Sequence, residues 1–207
     1  MRGLRLPAAS FKAWLFARDL RRLNEALADT DLSGRYLVSG GLLLGWAREG
    51  RVLRHDSRDA DFGVRTEDLS LLEAVVPALR RAGFDPFERH VANDGHVTAL
   101  CFRRRRRWHP TRFDFALVDR IAGNQLRYVA HGWYGDRPVE IECRGPEQPV
   151  VPFEFLGRTW FRHADFDLEL TTLYGDWRTP LKHWELSALG TAFCCRAWTH
   201  PDTSWPG

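Results

Sequence analysis

SGGLLLGWARE at residues 39–49 and DADFGV at residues 59–64 decide the fold of this chain. In the first stretch, a short strand that begins at Tyr36 ends at two glycines, and the apolar run after them predicts a buried helix. In the second stretch, polar and apolar residues alternate, which predicts a half-buried strand with Asp59 and Asp61 on one face. This order of elements predicts an α/β fold in which helices pack on a sheet.

Apolar periodicity predicts further helices and strands along the chain. A first helix runs from about Phe11 to Ala28, with Ser10 as its N-cap. Another helix is capped by Thr66 and kinked by Pro77. The remaining predicted features are a helix end at Gly83, a last helix from Asp165 to Tyr174, and strands at residues 96–102, 112–118, 139–143 and 153–161.

The length and composition of the chain predict a single globular domain. A chain of 207 residues with 44% hydrophobic residues buries a substantial core. No internal repeat and no Pro/Gly/Ser-rich linker divides it. We therefore expect residues 1–187 to form one domain, and residues 188–207, whose pattern assigns no element, to form a C-terminal tail of unknown role.

Charge and cysteine patterns argue against several classes of protein. The formal net charge is only +3, so the chain lacks the overall signature of a polyanion-binding protein. Its cysteines form no C-x-x-C pair, which argues against a zinc site and against a disulfide-stapled secreted domain. The N-terminus lacks an apolar run of signal-peptide length, and no stretch approaches the roughly 20 apolar residues of a membrane span. We expect a soluble, cytoplasmic protein.

Asp59 and Asp61 are the first candidates for chemistry. Their spacing points both carboxylates the same way from a rigid strand, as an oxygen-seeking cation such as Mg²⁺ or Mn²⁺ requires. The same spacing also fits two solvated acids on an exposed strand. Gly40 and Gly41 add context, because they end a strand where a phosphate can meet backbone N–H groups at a helix N-terminus. The combination favours a metal-dependent phosphoryl or nucleotidyl transferase.

Three more residues are candidates for the same site. Asp114 lies on a predicted strand whose phenylalanines face the core, so it is either a third metal ligand or a solvent-facing acid. Arg48, near a helix end, either contacts a phosphate or stabilises the helix C-terminus. His55 lies just before the predicted strand that carries Asp59 and Asp61. It either acts as a base or substrate contact, or is a solvated loop residue.

Arg103 to Arg107, followed by Trp108, is the densest basic feature of the sequence. Arginines bind phosphates by charge, and a tryptophan stacks on a base or a sugar. The same pattern fits a solvated hairpin tip between two strands. A nucleic-acid-binding protein spreads its basic residues over a wider face, so nucleic acid is not the expected partner.

The stretches at residues 39–49 and 59–64 resemble the LicD/fukutin-like phosphotransferases, and most closely the fukutin side of that family. RFDF at residues 112–115 is similar to the family's third-carboxylate strand. LYGDWRTP at residues 173–180 is similar to its closing Tyr-Gly…Trp…Pro motif. HDSR at residues 55–58 differs from the Pro-Trp-Asp-Asp run that is common among bacterial members.

The resemblance implies a fold, a reaction and a site. The fold is a nucleotidyltransferase-like mixed β-sheet flanked by helices. The reaction is transfer of a phospho-alcohol, such as phosphocholine or ribitol phosphate, from a CDP-linked donor to a glycan or other hydroxyl acceptor. Asp59, Asp61 and Asp114 would be the catalytic residues and would hold Mg²⁺ or Mn²⁺. The residues expected to contact the nucleotide or substrate are Gly40, Gly41, Arg48 and His55.

Two other functions fit the same residues. A nucleotidyltransferase would use the same carboxylates to move an NMP from a nucleoside triphosphate to a small molecule, and would release pyrophosphate. A non-catalytic module would bind RNA or an anionic glycan through Arg103 to Arg107 and would not depend on the carboxylates.

Overall fold

The structure of the chain is a computed structural model that describes residues 8–54, 57–104, 109–134, 136–180, 193–199 and 203–205. Helices and strands alternate in the first half, and strands dominate the second. In chain order the elements are α1 (Ala8–Ala28), β1 (Tyr36–Ser39), α2 (Gly40–Glu49), β2 (Asp59–Arg65), a 3₁₀ turn (Thr66–Asp68), α3 (Leu69–Ala74), α4 (Val76–Arg81), β3 (Asp85–Val91), β4 (Val97–Arg104), β5 (Thr111–Ile121), β6 (Gln125–Tyr134), β7 (Arg137–Pro146), β8 (Val150–Phe155), β9 (Arg158–His163), α5 (Phe166–Tyr174) and β10 (Phe193–Ala197).

Within the described residues, eight strands form one mixed sheet in a single domain. The path β1-β2-β5-β6-β7-β10 carries a branch in which β4 pairs with β5 and β3 pairs with β4. β2 and β5 run parallel, whereas the other paired strands of the sheet are antiparallel. The expected fold, a mixed sheet flanked by helices, is confirmed.

One face of the central strands is the hydrophobic core. Phe62 of β2 and Phe115 of β5 are buried and stacked, with ring centroids 4.9 Å apart. Helix α1 covers this face with residues spaced three or four apart, which is the helical period. Those fully buried α1 residues are Phe16, Leu20, Leu23 and Leu27. Because side chains alternate along a strand, the residues between the buried ones project to the opposite face.

The helix predictions are largely confirmed. The kink expected at Pro77 is a break between α3 and α4 at Val75. Gly83, with φ at 88°, follows the end of α4. Helix α5 begins after Asp165, whose carboxylate accepts a hydrogen bond from the Leu168 N–H at 3.0 Å. None of the described helices is long and apolar enough to cross a membrane.

Two local predictions are wrong. The single strand expected at residues 153–161 is a hairpin of β8 and β9, because Leu156 (φ 55°) and Gly157 (φ 69°) form a left-handed turn in its middle. Because Leu156 is apolar, the sequence pattern did not indicate a turn at this position. The expected N-cap Ser10 lies inside α1, which begins at Ala8, because alanine extends a helix at little cost.

β3, β6 and β10 are strands that the sequence pattern did not indicate. β6 and β7 form a long hairpin, in register from Gln125 opposite Pro146 to Tyr134 opposite Arg137. Residues 193–197 add to the edge of that hairpin as β10, antiparallel to β7. The second half of the chain therefore extends the sheet that the first half begins.

Candidate active site

Asp59, Asp61 and Asp114 lie together on the face of the sheet opposite the core. One carboxylate oxygen from each lies within 4.8 Å of the others. They meet because β2 and β5 are parallel and place Asp61 directly beside Asp114, while Asp59 is two residues away on the same face. A donor set of three carboxylate oxygens fits a hard divalent cation such as Mg²⁺ or Mn²⁺. The carboxylate cluster predicted from strand phase is therefore present.

Gly40 makes room for this cluster. Its φ of 59° lies in the left-handed region, and a Cβ atom at this position would overlap Oδ2 of Asp61. Gly40 and Gly41 are also the first residues of α2, whose initial N–H groups have no acceptor within the helix. The carboxylate cluster and a helix N-terminus therefore lie side by side, which is the arrangement that places a cation and an anion-binding site next to each other.

Arg112 is a basic residue that contacts the cluster through Asp114. Its Nε lies 2.7 Å from Oδ1 and 2.5 Å from Oδ2 of Asp114. Its other nitrogens reach Oε2 of Glu88 at 3.0 Å and Sγ of Cys101 at 3.4 Å. Burial raises the pKa of the Asp114 carboxyl above its ordinary value, while the charge of Arg112 acts in the opposite direction.

A cleft of about 620 Å³ opens beside the cluster on the same face of the sheet. Asp61 and Gly40 line it, together with small and apolar residues of β2 and β5. β6 and β7, the next strands of the sheet, and α5 complete the lining, which includes the aromatic residues Tyr128 and Tyr174. Such a cleft, mostly apolar with a few polar groups at one end, is typical of a small-molecule site.

Tyr128 and Glu169 are two polar residues that line the cleft together with Asp61. Burial, reinforced by Cys143, Glu169 and Asp61, raises the pKa of the Tyr128 phenol well above its ordinary value. Tyr128 therefore keeps its proton and can donate a hydrogen bond. The Ser39 hydroxyl donates to Oε1 of Glu169 at 2.6 Å, and Ser39 faces Asp61 across the β1–β2 pair. These contacts fix Glu169 of α5 close to strand β2.

His163 holds the other oxygen of Glu169. Its Nδ1 lies 2.9 Å from Oε2 of Glu169, and both side chains are mostly buried. A carboxylate held by a serine on one side and a histidine on the other keeps one orientation. Glu169 is therefore a fixed acceptor on the wall of the cleft.

One candidate from the sequence, Arg48, does not join this arrangement. Arg48 lies in the last turn of α2, at the opposite end of the helix from Gly40, and does not line the cleft. Its side chain is 15% exposed, and its Nη2 lies 3.9 Å from Oε1 of Glu49. His55 lies outside the described residues.

The arginine run is divided between strand β4 and residues that the structure does not describe. Arg103 packs over the ring of Phe87, with 5.0 Å between its Cζ and the ring centroid. Arg104 pairs with Asp19 of α1 at 3.1 Å, and that aspartate is fully buried. Arg104 therefore has a structural role in the fold and does not belong to a solvated hairpin tip. Residues 105–108 lie outside the described residues.

A second cleft, of about 550 Å³, lies at the other end of β2 and β5. Its arginines pair within the protein: Arg127 contacts Asp119 at 2.6 Å, and Arg120 contacts Glu147 at 2.6 Å. Internal pairing leaves little net charge for a ligand. The carboxylate cluster, not this cleft, carries the arrangement suited to phosphoryl chemistry.

Three residues of the site were not among the candidates predicted from the sequence. Arg112 had a signal, because it stands two residues before Asp114 on a predicted strand and therefore on the same face. Tyr128 and Glu169 had none. They come from β6 and α5, and only the tertiary fold brings these two residues to the same cleft as Asp61.

Comparison with known proteins gives one match and one negative result. The family model described as LicD/FKTN/FKRP, nucleotidyltransferase domain, matches residues 33–158. These residues are more than half of the chain and include the whole carboxylate cluster and Gly40. No curated protein matches the chain.

Proposed function

The chain belongs to the LicD/FKTN/FKRP family, and we propose that it moves a phospho-alcohol from a CDP-linked donor to a hydroxyl group of a glycan or other acceptor. The family supports a transferase of the phosphotransferase type that modifies glycans and uses a divalent metal. The observation that carries the proposal is the cluster of Asp59, Asp61 and Asp114 beside the N-terminus of α2.

Each part of the site has a role in this proposal. Asp59, Asp61 and Asp114 would hold Mg²⁺ or Mn²⁺, which when bound supplies positive charge that offsets the charge of the phosphate oxygens. The N–H groups of Gly40 and Gly41 bind an oxygen of the diphosphate. Because a side chain at position 40 would overlap Asp61, the phosphate and the carboxylates can approach closely only with glycine there.

The cleft orients the organic part of the substrates. Its apolar strand residues exclude water from the donor or acceptor, and Tyr128 donates a hydrogen bond to it. The attacking hydroxyl must lose a proton as the new O–P bond forms and CMP leaves. Asp61 and Glu169 are carboxylates that line the cleft, and either accepts that proton if the hydroxyl lies within hydrogen-bond reach.

The first test follows the products. Purified protein is incubated with CDP-choline or CDP-ribitol, a panel of glycan acceptors and Mg²⁺ or Mn²⁺, and CMP release is measured. We expect transfer with at least one donor, and we expect Asp61→Asn to lower the rate at least about 100-fold because it removes a ligand charge. The control Asp119→Asn changes an acid on β5 that pairs with Arg127 instead, and its rate should stay near that of the unaltered chain.

The same assay separates the competing reactions. Pyrophosphate release from a nucleoside triphosphate, without CMP release from any CDP-alcohol, would assign the chain to NMP transfer, which the nucleotidyltransferase description of the family also accommodates. Transfer that survives Asp61→Asn at full rate would contradict both assignments, because neither works without the carboxylates.

A further inference from the structure

We propose that Arg112 competes with the divalent metal for Asp114, and that the phosphate groups of the donor draw its guanidinium away. Arg112 would then make metal and donor bind together more tightly than either binds alone. This inference rests on the proposed function, because it assumes that the carboxylate cluster holds a metal and that the donor carries phosphates.

The first support is the geometry of the ion pair itself. The Nε of Arg112 lies within hydrogen-bond distance of both oxygens of Asp114, at 2.7 and 2.5 Å. One of those oxygens belongs to the cluster that would hold the cation. A guanidinium and a metal ion on one carboxylate repel each other and share its lone pairs. Binding of one cation therefore weakens binding of the other.

The second support is the position of Arg112 in the sheet. β2 and β5 place it directly beside Asp59, and its backbone N–H donates to the Arg58 carbonyl at 2.7 Å. Arg112 therefore stands between two of the expected ligands. Its side chain is 34% exposed, so a donor phosphate can reach this side chain from solvent.

The third support is the balance of charge. Arg112 contacts Asp114 and Glu88, and Asp114 in turn clusters with Asp59 and Asp61. One guanidinium thus contacts two carboxylates, one of which belongs to the cluster. A divalent cation on the cluster takes Asp114 as a ligand, and the phosphates of the donor offer new acceptors to Arg112, which forms strong bonds to phosphate oxygens.

A simple structural ion pair is the competing explanation, and the same sheet offers a matched example. Arg127 contacts Asp119 through Nε at 3.1 Å and Nη2 at 2.6 Å, with side chains exposed to a similar degree. Asp119 is not part of the carboxylate cluster. Substitution of Arg127 therefore reports the loss of an arginine–aspartate pair without any effect on the cluster.

The experiment measures two dissociation constants on the full chain: that of Mn²⁺ alone, and that of inorganic pyrophosphate at saturating Mn²⁺. We expect Arg112→Gln to tighten Mn²⁺ about tenfold and to weaken pyrophosphate about tenfold, which is the size of effect expected from a single charge-assisted hydrogen bond. General disruption of the site would weaken both ligands. Arg127→Gln should leave both constants unchanged.

A second variant guards against a failure to fold. If circular dichroism shows that Arg112→Gln is unfolded, Arg112→Lys retains the charge but not the planar fork, and it should shift both constants in the same directions by a smaller factor. Unchanged or weaker Mn²⁺ binding in folded Arg112 variants would overturn the inference and leave the proposed function standing. If neither the unaltered chain nor the variants bind Mn²⁺, with or without pyrophosphate, both fail.

Discussion

The candidate site requires glycine at position 40, because a side chain there would occupy the space of the Asp61 carboxylate. A Cβ atom there would overlap the Asp61 carboxylate, and the backbone is left-handed at φ 59°. We predict that Gly40→Ala lowers the free energy of unfolding by about 1–2 kcal/mol through backbone strain and also weakens Mn²⁺ binding by displacing Asp61. Urea denaturation and Mn²⁺ titration measure the two effects.

Gly50 provides the control for that substitution. It has a similar φ of 64°, but an added Cβ would meet nothing within 4 Å. Gly50→Ala should therefore cost comparable stability while Mn²⁺ affinity stays unchanged. Equal Mn²⁺ affinity in the two variants would show that Asp61 does not depend on the space at Gly40.

At the scale of single residues, strand phase and glycine position are readable from the sequence, but contacts across the sheet are not. The alternation around Asp61 and Asp114 predicts that each projects from the same face of its strand as the residues two positions away. The pairing of Asp114 with Arg112 could have been inferred from the same rule. The hydrogen bond from Ser39 to Glu169 joins residues 130 positions apart, and no local pattern encodes it.

The pairing of Arg104 with Asp19 is the clearest link between two elements. It joins β4 to α1 at 3.1 Å, and the Asp19 side chain has no exposed surface. We predict that Arg104→Ala destabilises the chain by about 3–5 kcal/mol, because it removes the guanidinium from a buried carboxylate. Chemical denaturation checks this value against the roughly 5–15 kcal/mol that is typical of whole domains.

Arg103 is the neighbouring control. It packs over Phe87 instead of pairing with a buried acid, so Arg103→Ala should cost only about 0.5–1 kcal/mol. Equal losses in the two variants would mean that the run of arginines acts through its charge in general and not through the Asp19 pair.

At the scale of elements, segments with a clear apolar period were predicted, and several strands and one turn without such a signal were not. The apolar spacing in α1 and the alternation in β2 are strong local signals. β8 and β9 were merged, because the turn between them contains Leu156, a residue that rarely adopts positive φ. β3 was missed because each of its residues is only half-buried, which leaves no contrast between its two faces.

Stability of the whole molecule should depend on pH through His131. Burial lowers the pKa of His131 to about 4, and its Nε2 lies 2.7 Å from the Thr98 hydroxyl. In the unfolded chain the imidazole of His131 takes up a proton near pH 6.5, whereas in the folded chain it does so only near pH 4. We predict that the free energy of unfolding is highest above about pH 6.5 and falls as the pH drops towards about 4.

His131→Gln tests that prediction. Glutamine retains a hydrogen-bonding group for Thr98 but does not titrate, so the loss of stability between about pH 6.5 and about pH 4 should become smaller. Some dependence should remain, because burial also lowers the pKa of the neighbouring His90. Denaturation curves at a series of pH values decide the matter, and an identical slope in the two proteins would refute the role of His131.

The sequence by itself determined the phase of each central strand, the glycines at the start of α2 and the face from which each site carboxylate projects, because these depend on local period and on backbone conformation. Only the tertiary structure decided that the three carboxylates meet and which groups surround them. β6 and β7 extend the sheet beside β5, α5 lines the cleft next to the carboxylates, and Arg112 of β5 lies on Asp114. These contacts depend on strand order and on the path of the chain in space, and neither property is written in any short stretch of residues.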